Sequence, residues 1–224
     1  MRKSFDEQLA ELNNELIEMG ALCEEAIAAA AKTLADDSDK LVQSVINMED
    51  EIDRREHIIE NMCFKLFLKQ QPVAGDLRRI SAALKMITDM ERIGDQALDI
   101  TEMSDYIRNA AFPEHIDMGE MARAAVKMVT DSVDAFVKRD VEMAEAVIKY
   151  DDVMDELFIK VKHAVTDMIS ADPQTGEYAV DLMMTAKYFE RIGDHAVNIA
   201  EWVEFSVTGI HKGEMINDMV RRGR

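Results

Sequence analysis

Apolar residues recur along this chain at alternating intervals of three and four, the seam that amphipathic helices present to one another. The first run is Phe5, Leu9, Leu12, Leu16, Met19 and Cys23. A second holds Leu41, Val45, Met48, Ile52, Ile59, Met62 and Leu66, interrupted by Arg55. A third reads Leu77, Ile80, Leu84, Ile87, Glu91, Gly94, Leu98 and Thr101. The plan then starts again. Ala122, Val126, Val129, Val133 and Phe136 make a fourth stripe, and Met143, Val147, Tyr150, Met154, Leu157, Val161, Ala164 and Met168 a fifth. The sixth is Ala179, Met183, Ala186, Glu190, Gly193, Val197 and Ala200. Six long helices are predicted, and the fold class is all-α.

Punctuation between the stripes places the helix ends. Ser4 with Glu7 fits a capping box, and the first helix should run to about Leu34. Asp36-Asp37-Ser38-Asp39 makes a turn, with Ser38 or Asp39 as the next cap. Pro72 and Gly75 close the second helix, and Asp76 can cap a third that reaches about Asn109. Phe112-Pro113 is the clearest break. Asp117 and Asp140 are the expected caps of the fourth and fifth helices. Asp172-Pro173 and Gly176 form the last turn, and the sixth helix should end near Thr208, before Gly209. The tail Arg221-Arg222-Gly223-Arg224 is expected to be mobile.

The repetition extends to the letters. Glu91-Arg92-Ile93-Gly94-Asp95 recurs as Glu190-Arg191-Ile192-Gly193-Asp194, an offset of 190 − 91 = 99. On the second helix of each half, Val45 to Asp53 aligns with Val147 to Asp155, an offset of 147 − 45 = 102. Tandem duplication explains both. The expected architecture is two three-helix bundles of antiparallel helices, residues 1–111 and 112–224.

Composition narrows the partners. With 45 acidic against 26 basic residues and a formal charge of −19, the chain is poorly suited to nucleic acid or to anionic membrane surfaces. Divalent cations and basic protein surfaces suit it better, and any membrane contact is expected only through partner proteins. Three Pro and nine Gly leave few breaks, and the 17 Met read as core filler. Cys23 and Cys63 sit on apolar stripes without metal-type spacing and read as buried thiols. The start Met-Arg-Lys-Ser-Phe-Asp-Glu lacks the apolar core of a leader, and Ala26 to Ala31 is too short to span a bilayer. A cytoplasmic protein is expected.

The acidic motif calls for a chemical account. The heptad count puts Glu91 and Glu190 at stripe positions, with Asp95 and Asp194 one turn on, along the same face. Asp99 and Glu102 continue that face in the first half, Asn198 and Glu201 in the second. The second helices add Glu49 and Asp53, and Asp151 and Asp155, again spaced i and i+4. Gly94 and Gly193 would leave notches beside these acids. Carboxylates converging on a notch suit a divalent or transition metal such as Mg, Mn, Fe or Zn. Structural ion pairing is the competing reading. Arg92, as the i+1 neighbour of Glu91, is expected to project elsewhere, which leaves Arg55 as a candidate partner. His195 reads as a surface or supporting residue, and His57, His115, His163 and His211 show no ligand spacing. No catalytic nucleophile or Glu-x-x-His pair is found, and no enzyme activity is expected. A carboxylate-bridged metalloenzyme is the alternative from another class.

Two three-helix repeats, each with Glu-Arg-Ile-Gly-Asp on its third helix and acids on its second, resemble the PhoU family. So does the entry Gln71-Pro72-Val73-Ala74-Gly75-Asp76-Leu77-Arg78 into the third helix. The resemblance implies a negative regulator of phosphate uptake and the phosphate regulon. Such proteins couple the cytoplasmic subunits of the phosphate ABC transporter to a PhoR-type sensor histidine kinase. It also implies metal at Glu91, Asp95, Glu190 and Asp194, with the second-helix acids as further candidates. Asn198, standing where the first half has Asp99, implies a weaker second site. A homodimer is among the expected assemblies, and the alternative partner is an inorganic-phosphate permease.

Overall fold

Six helices form in the computed structural model: α1 (Arg2–Thr33), α2 (Asp39–Gln70), α3 (Ala74–Ile107), α4 (Met118–Lys138), α5 (Val141–Ala171) and α6 (Gly176–Thr208). The structure describes residues 2–36, 38–70, 73–107 and 116–210. The expected break at Phe112-Pro113, the 111/112 boundary and the Arg221–Arg224 tail lie outside them. So does Asn109, the expected end of the third helix.

The caps of the second half act as the sequence predicts. Asp117 accepts from the Glu120 amide at 3.1 Å and Asp140 from the Met143 amide at 3.0 Å. Asp172 caps a single 3-10 turn, Pro173–Thr175, before α6, which ends on Gly209 at φ 78. Two starts in the first half differ. Helix α1 begins at Arg2 and α3 at Ala74, so Ser4 and Asp76 sit inside first turns rather than at caps. There the charge of Asp76 complements the positive end of the helix dipole.

All six residues of the first stripe are buried, from Phe5 to Cys23. The third stripe departs from expectation. Leu77 is 45% exposed, while Met86, Ile93, Ile100 and Ile107 form a second buried row seven residues apart. The cause is the tertiary arrangement. Helices α1, α3, α6 and α4 form an inner ring, with α2 laid against α1 and α3, and α5 against α4 and α6. The most extensive helix contact in the protein is α3 on α6, between the repeats rather than within one. These two helices run antiparallel: Asp89 meets His195, and Arg78 lies against Gly209. No described helix is long and apolar enough to cross a membrane.

Both cysteines are buried and free. Cys23 donates to the Met90 carbonyl at 3.4 Å, and burial pushes the Cys63 thiol up to about 12. Neither is a reactive thiolate.

Candidate functional site

The acids of each repeat gather along the groove between its second and third helices. In the first repeat α2 supplies Glu49, Asp53 and Glu56, one turn apart, and α3 supplies Glu91 and Asp95. Burial, then the charges of Asp53, Asp50 and Asp95, push the Glu49 carboxyl above its usual range. Glu91 is pushed up in the same way by burial and by Asp95, with Arg92 opposing and Glu56 and Asp53 adding to the effect. Asp53 Oδ1 is buried with no hydrogen-bond partner among the described residues. Four of the expected acids therefore do share one field, joined by Glu56, which the pattern on α2 alone had not singled out.

The second repeat builds the same groove from α5 and α6. Burial, with Asp155, Asp194, Glu190 and Asp152 around it, pushes the Asp151 carboxyl up to about 6. Asp194 is raised by burial and Glu190, opposed by Lys187 and His195. The two grooves are not copies. Lys187 pairs with Glu190 and lies 5.5 Å from the centre of the Phe158 ring. At the same offsets of 99 and 102, the first repeat has Thr88 and Glu56. The first groove thus carries one acid more, Glu56, and the second takes its cation from Lys187, one turn before the motif.

Three expectations about this site are corrected. Arg92 does not turn away. Its long arm folds back over the helix, with Nε 3.3 Å from Glu91 Oε2 and Nη1 2.8 Å from Asp95 Oδ2. Arg55 instead reaches α1, at 2.9 Å from Glu15 and 2.6 Å from Glu18, while holding Glu51 at 3.1 Å. Neither glycine leaves a notch, because the facing helix fills it. A Cβ on Gly94 would stand 3.2 Å from Ile52 Cδ1, and one on Gly193 would stand 3.2 Å from Met154 Cγ. The glycines allow close helix approach, which brings the two rows of acids together.

Asn198 is not part of the second groove either. Its Nδ2 donates to Asp89 Oδ1 at 3.0 Å, alongside His195 Nδ1 at 2.9 Å. The departure of Asn198 from Asp99 therefore concerns the contact between repeats. What sets the second groove apart is Lys187 and Phe158. Asp99 itself faces α6: burial, Glu102 and Asp95 raise its carboxyl, and Arg191 opposes them. Glu102 is exposed, and Glu201 lies two turns beyond Asp194.

Carboxylate oxygens in a partly desolvated row are the donor set of a hard divalent cation. The orphaned Asp53 Oδ1 and the raised carboxyls fit that chemistry. Among the described residues no three His, Cys, Asp or Glu side chains already stand together as a ligand group. A cation would be held by side chains drawn inward from the two helices.

A sequence model of the PhoU domain matches the chain twice, over residues 16–104 and 118–203. The chain is 32% identical to the phosphate-specific transport system accessory protein PhoU homolog of Clostridium acetobutylicum, over 93% of this chain and 96% of that one. It is 34% identical to the homolog of the same description from Caulobacter vibrioides, over 92% and 91%. The crystal structure of PhoU from Pseudomonas aeruginosa superposes with a TM-score of 0.85 at 29% identity, covering 92% of this chain and all of that one. The Streptococcus pneumoniae PhoU structure matches as closely, with a TM-score of 0.85 at 22% identity.

Proposed function

This chain belongs to the PhoU family, and from that premise we propose that it is an accessory protein of a phosphate transport system, restraining uptake and the phosphate regulon through protein contacts. The observation that carries the proposal is the family match in both repeats, each match including one of the two Glu-Arg-Ile-Gly-Asp motifs. Its partners are the cytoplasmic subunits of the phosphate ABC transporter and a PhoR-type sensor kinase. The protein performs no bond-making step. It shifts populations among complexes by presenting different surfaces, as the unequal grooves of the two repeats support.

The grooves serve as divalent-cation sites, with Glu91 and Asp95, and Glu190 and Asp194, as ligands, and with Glu49, Asp53, Asp151 and Asp155 opposite them. A bound cation supplies positive charge between two helices whose facing carboxylates otherwise repel. It thereby sets the charge and spacing of that face. Arg92 and Lys187 already offset part of the repulsion.

Affinity capture from phosphate-replete cells tests the central reading. Recovery of phosphate ABC subunits and a sensor kinase supports it, as does raised phosphatase expression in phosphate-rich medium after gene deletion. Recovery of an inorganic-phosphate permease alone, with no regulon phenotype, would overturn it.

A further inference from the structure

Helices α1 and α2 enclose a cleft of about 290 Å³ lined by Gln8, Glu11, Met62, Lys65 and Leu66. None of the five belongs to the acidic grooves. Helix spacing accounts for its two sides. Gln8 and Glu11 lie three apart on α1, and Met62, Lys65 and Leu66 lie three and four apart on α2, so each set shares one face. The core closes against it, with Leu66 only 2% exposed and Leu9 and Leu12 buried on the same stretch of α1.

The polar groups of this cleft have no partners in the fold. Gln8 Oε1 is buried without a hydrogen bond among the described residues. A buried carbonyl oxygen with no donor is a standing cost, which the N–H of a ligand removes. Glu11 and Lys65 line the same cleft, yet among the described residues neither forms an ion pair or a side-chain hydrogen bond. The duplication shows that the helix does not require this arrangement. At the offset of 102, Met62, Lys65 and Leu66 correspond to Ala164, Asp167 and Met168, so the second repeat places an acid where the first has the ammonium.

We propose that the α1–α2 cleft binds a small zwitterion with an apolar side chain, namely a free aliphatic α-amino acid. The volume lies at the small end of ligand pockets, which run from about 300 to 1,000 Å³, and so sets the size of the occupant. The ligand's ammonium group donates to Glu11 and to Gln8 Oε1, and its carboxylate accepts from Lys65. Its side chain lies on Met62, Leu66 and the methylene stem of Lys65. The two charges of the cleft also select against simpler ions. An amine without a carboxylate sets a like charge beside Lys65, and a carboxylate or phosphate alone sets one beside Glu11. Because the ligand holds both helices, occupancy raises the melting temperature. The site rests on the cleft alone and goes beyond the accessory-protein reading.

NMR titration of the full chain, isotope-labelled at its methionine methyl groups, tests this. The Met62 signal is identified by its loss in Met62→Leu. The probes are L-leucine, isocaproate (leucine without its amine) and isoamylamine (leucine without its carboxylate). L-leucine should move the Met62 signal saturably, with either analogue binding roughly tenfold or more weakly. Lys65→Glu, a change at an exposed position, should lose L-leucine and bind isoamylamine more tightly than the parent does, an exchange of preference that unfolding cannot produce. Asp167→Ala, at the exposed position that corresponds to Lys65, should leave leucine binding unchanged. The proposal is overturned by the absence of a saturable shift at low-millimolar L-leucine, or by an analogue that binds as well as leucine. Unchanged leucine binding in Lys65→Glu, or an equal loss in Asp167→Ala, overturns it too. Capture of transporter subunits is scored separately and does not bear on the titration.

Discussion

Asp89 on α3 holds both His195 and Asn198 of α6, at 2.9 and 3.0 Å, through a single carboxylate oxygen. The side chains of Asp89 and His195 are only 15% and 22% exposed, so water replaces little of what the contact provides. Asp89→Ala leaves two donors without this acceptor in the contact between repeats. The expected loss is roughly 1–3 kcal/mol, read from the urea unfolding midpoint. An unchanged midpoint would show that apolar packing alone joins the repeats.

Gly94 and Gly193 occupy equivalent positions but face different neighbours. A Cβ on Gly94 meets Ile52 at 3.2 and 3.3 Å, a β-branched side chain with little room to turn. A Cβ on Gly193 meets Met154 at 3.2 Å, and a thioether arm adapts. Gly94→Ala should therefore destabilise by about 1–3 kcal/mol through overpacking, despite the better helix propensity of Ala. Gly193→Ala should cost less, and thermal melts of the two variants side by side settle the order.

The carboxyl of Asp151 is the clearest source of pH dependence. Its pKa rises on folding from 3.8 to about 6, so between those values the folded state binds more protons than the unfolded. The ionised group therefore works against folding at neutral pH, and stability should increase as pH falls through about 6. Asp151→Asn should melt higher than the parent at pH 7 and lose this part of the slope. A parent melting temperature that falls steadily over the same window would contradict the assignment.

Divalent cations should act on the same group from the other side. Titration with Mn²⁺ or Mg²⁺ at pH 7 should raise the melting temperature of the parent, and less so in Glu91→Ala/Glu190→Ala. Lys187→Thr, which gives the second groove the residue of the first, should strengthen cation binding there by removing a competing charge. Calorimetric titration of Lys187→Thr checks this, and unchanged affinity would mean that the Lys187–Glu190 pair does not oppose binding.

Much of this protein was legible locally. Heptad spacing marked all six helices, Asp117, Asp140, Asp172 and Gly209 marked ends, and the repeated motif marked the duplication and the family. Those signals lie within a few residues of what they control, through periodic burial or a single cap bond. The site was legible as a list of acids, and Glu49, Asp53, Glu91 and Asp95 do share one groove, as Asp151, Asp155, Glu190 and Asp194 share another.

Partner choice was not legible, because it depends on which helices become neighbours. Ile52 occupies the space beside Gly94, Arg55 turns to α1 while Arg92 stays with the motif, and Asn198 crosses to Asp89. Burial of Ile93 and Ile100 follows from α3 packing on α6, a contact between residues about a hundred apart in the chain. The sequence by itself determined the helices, the duplication and the acids. Only the tertiary structure decided how the two repeats meet, which cation stands beside which acid, and why two grooves with the same motif carry different charge.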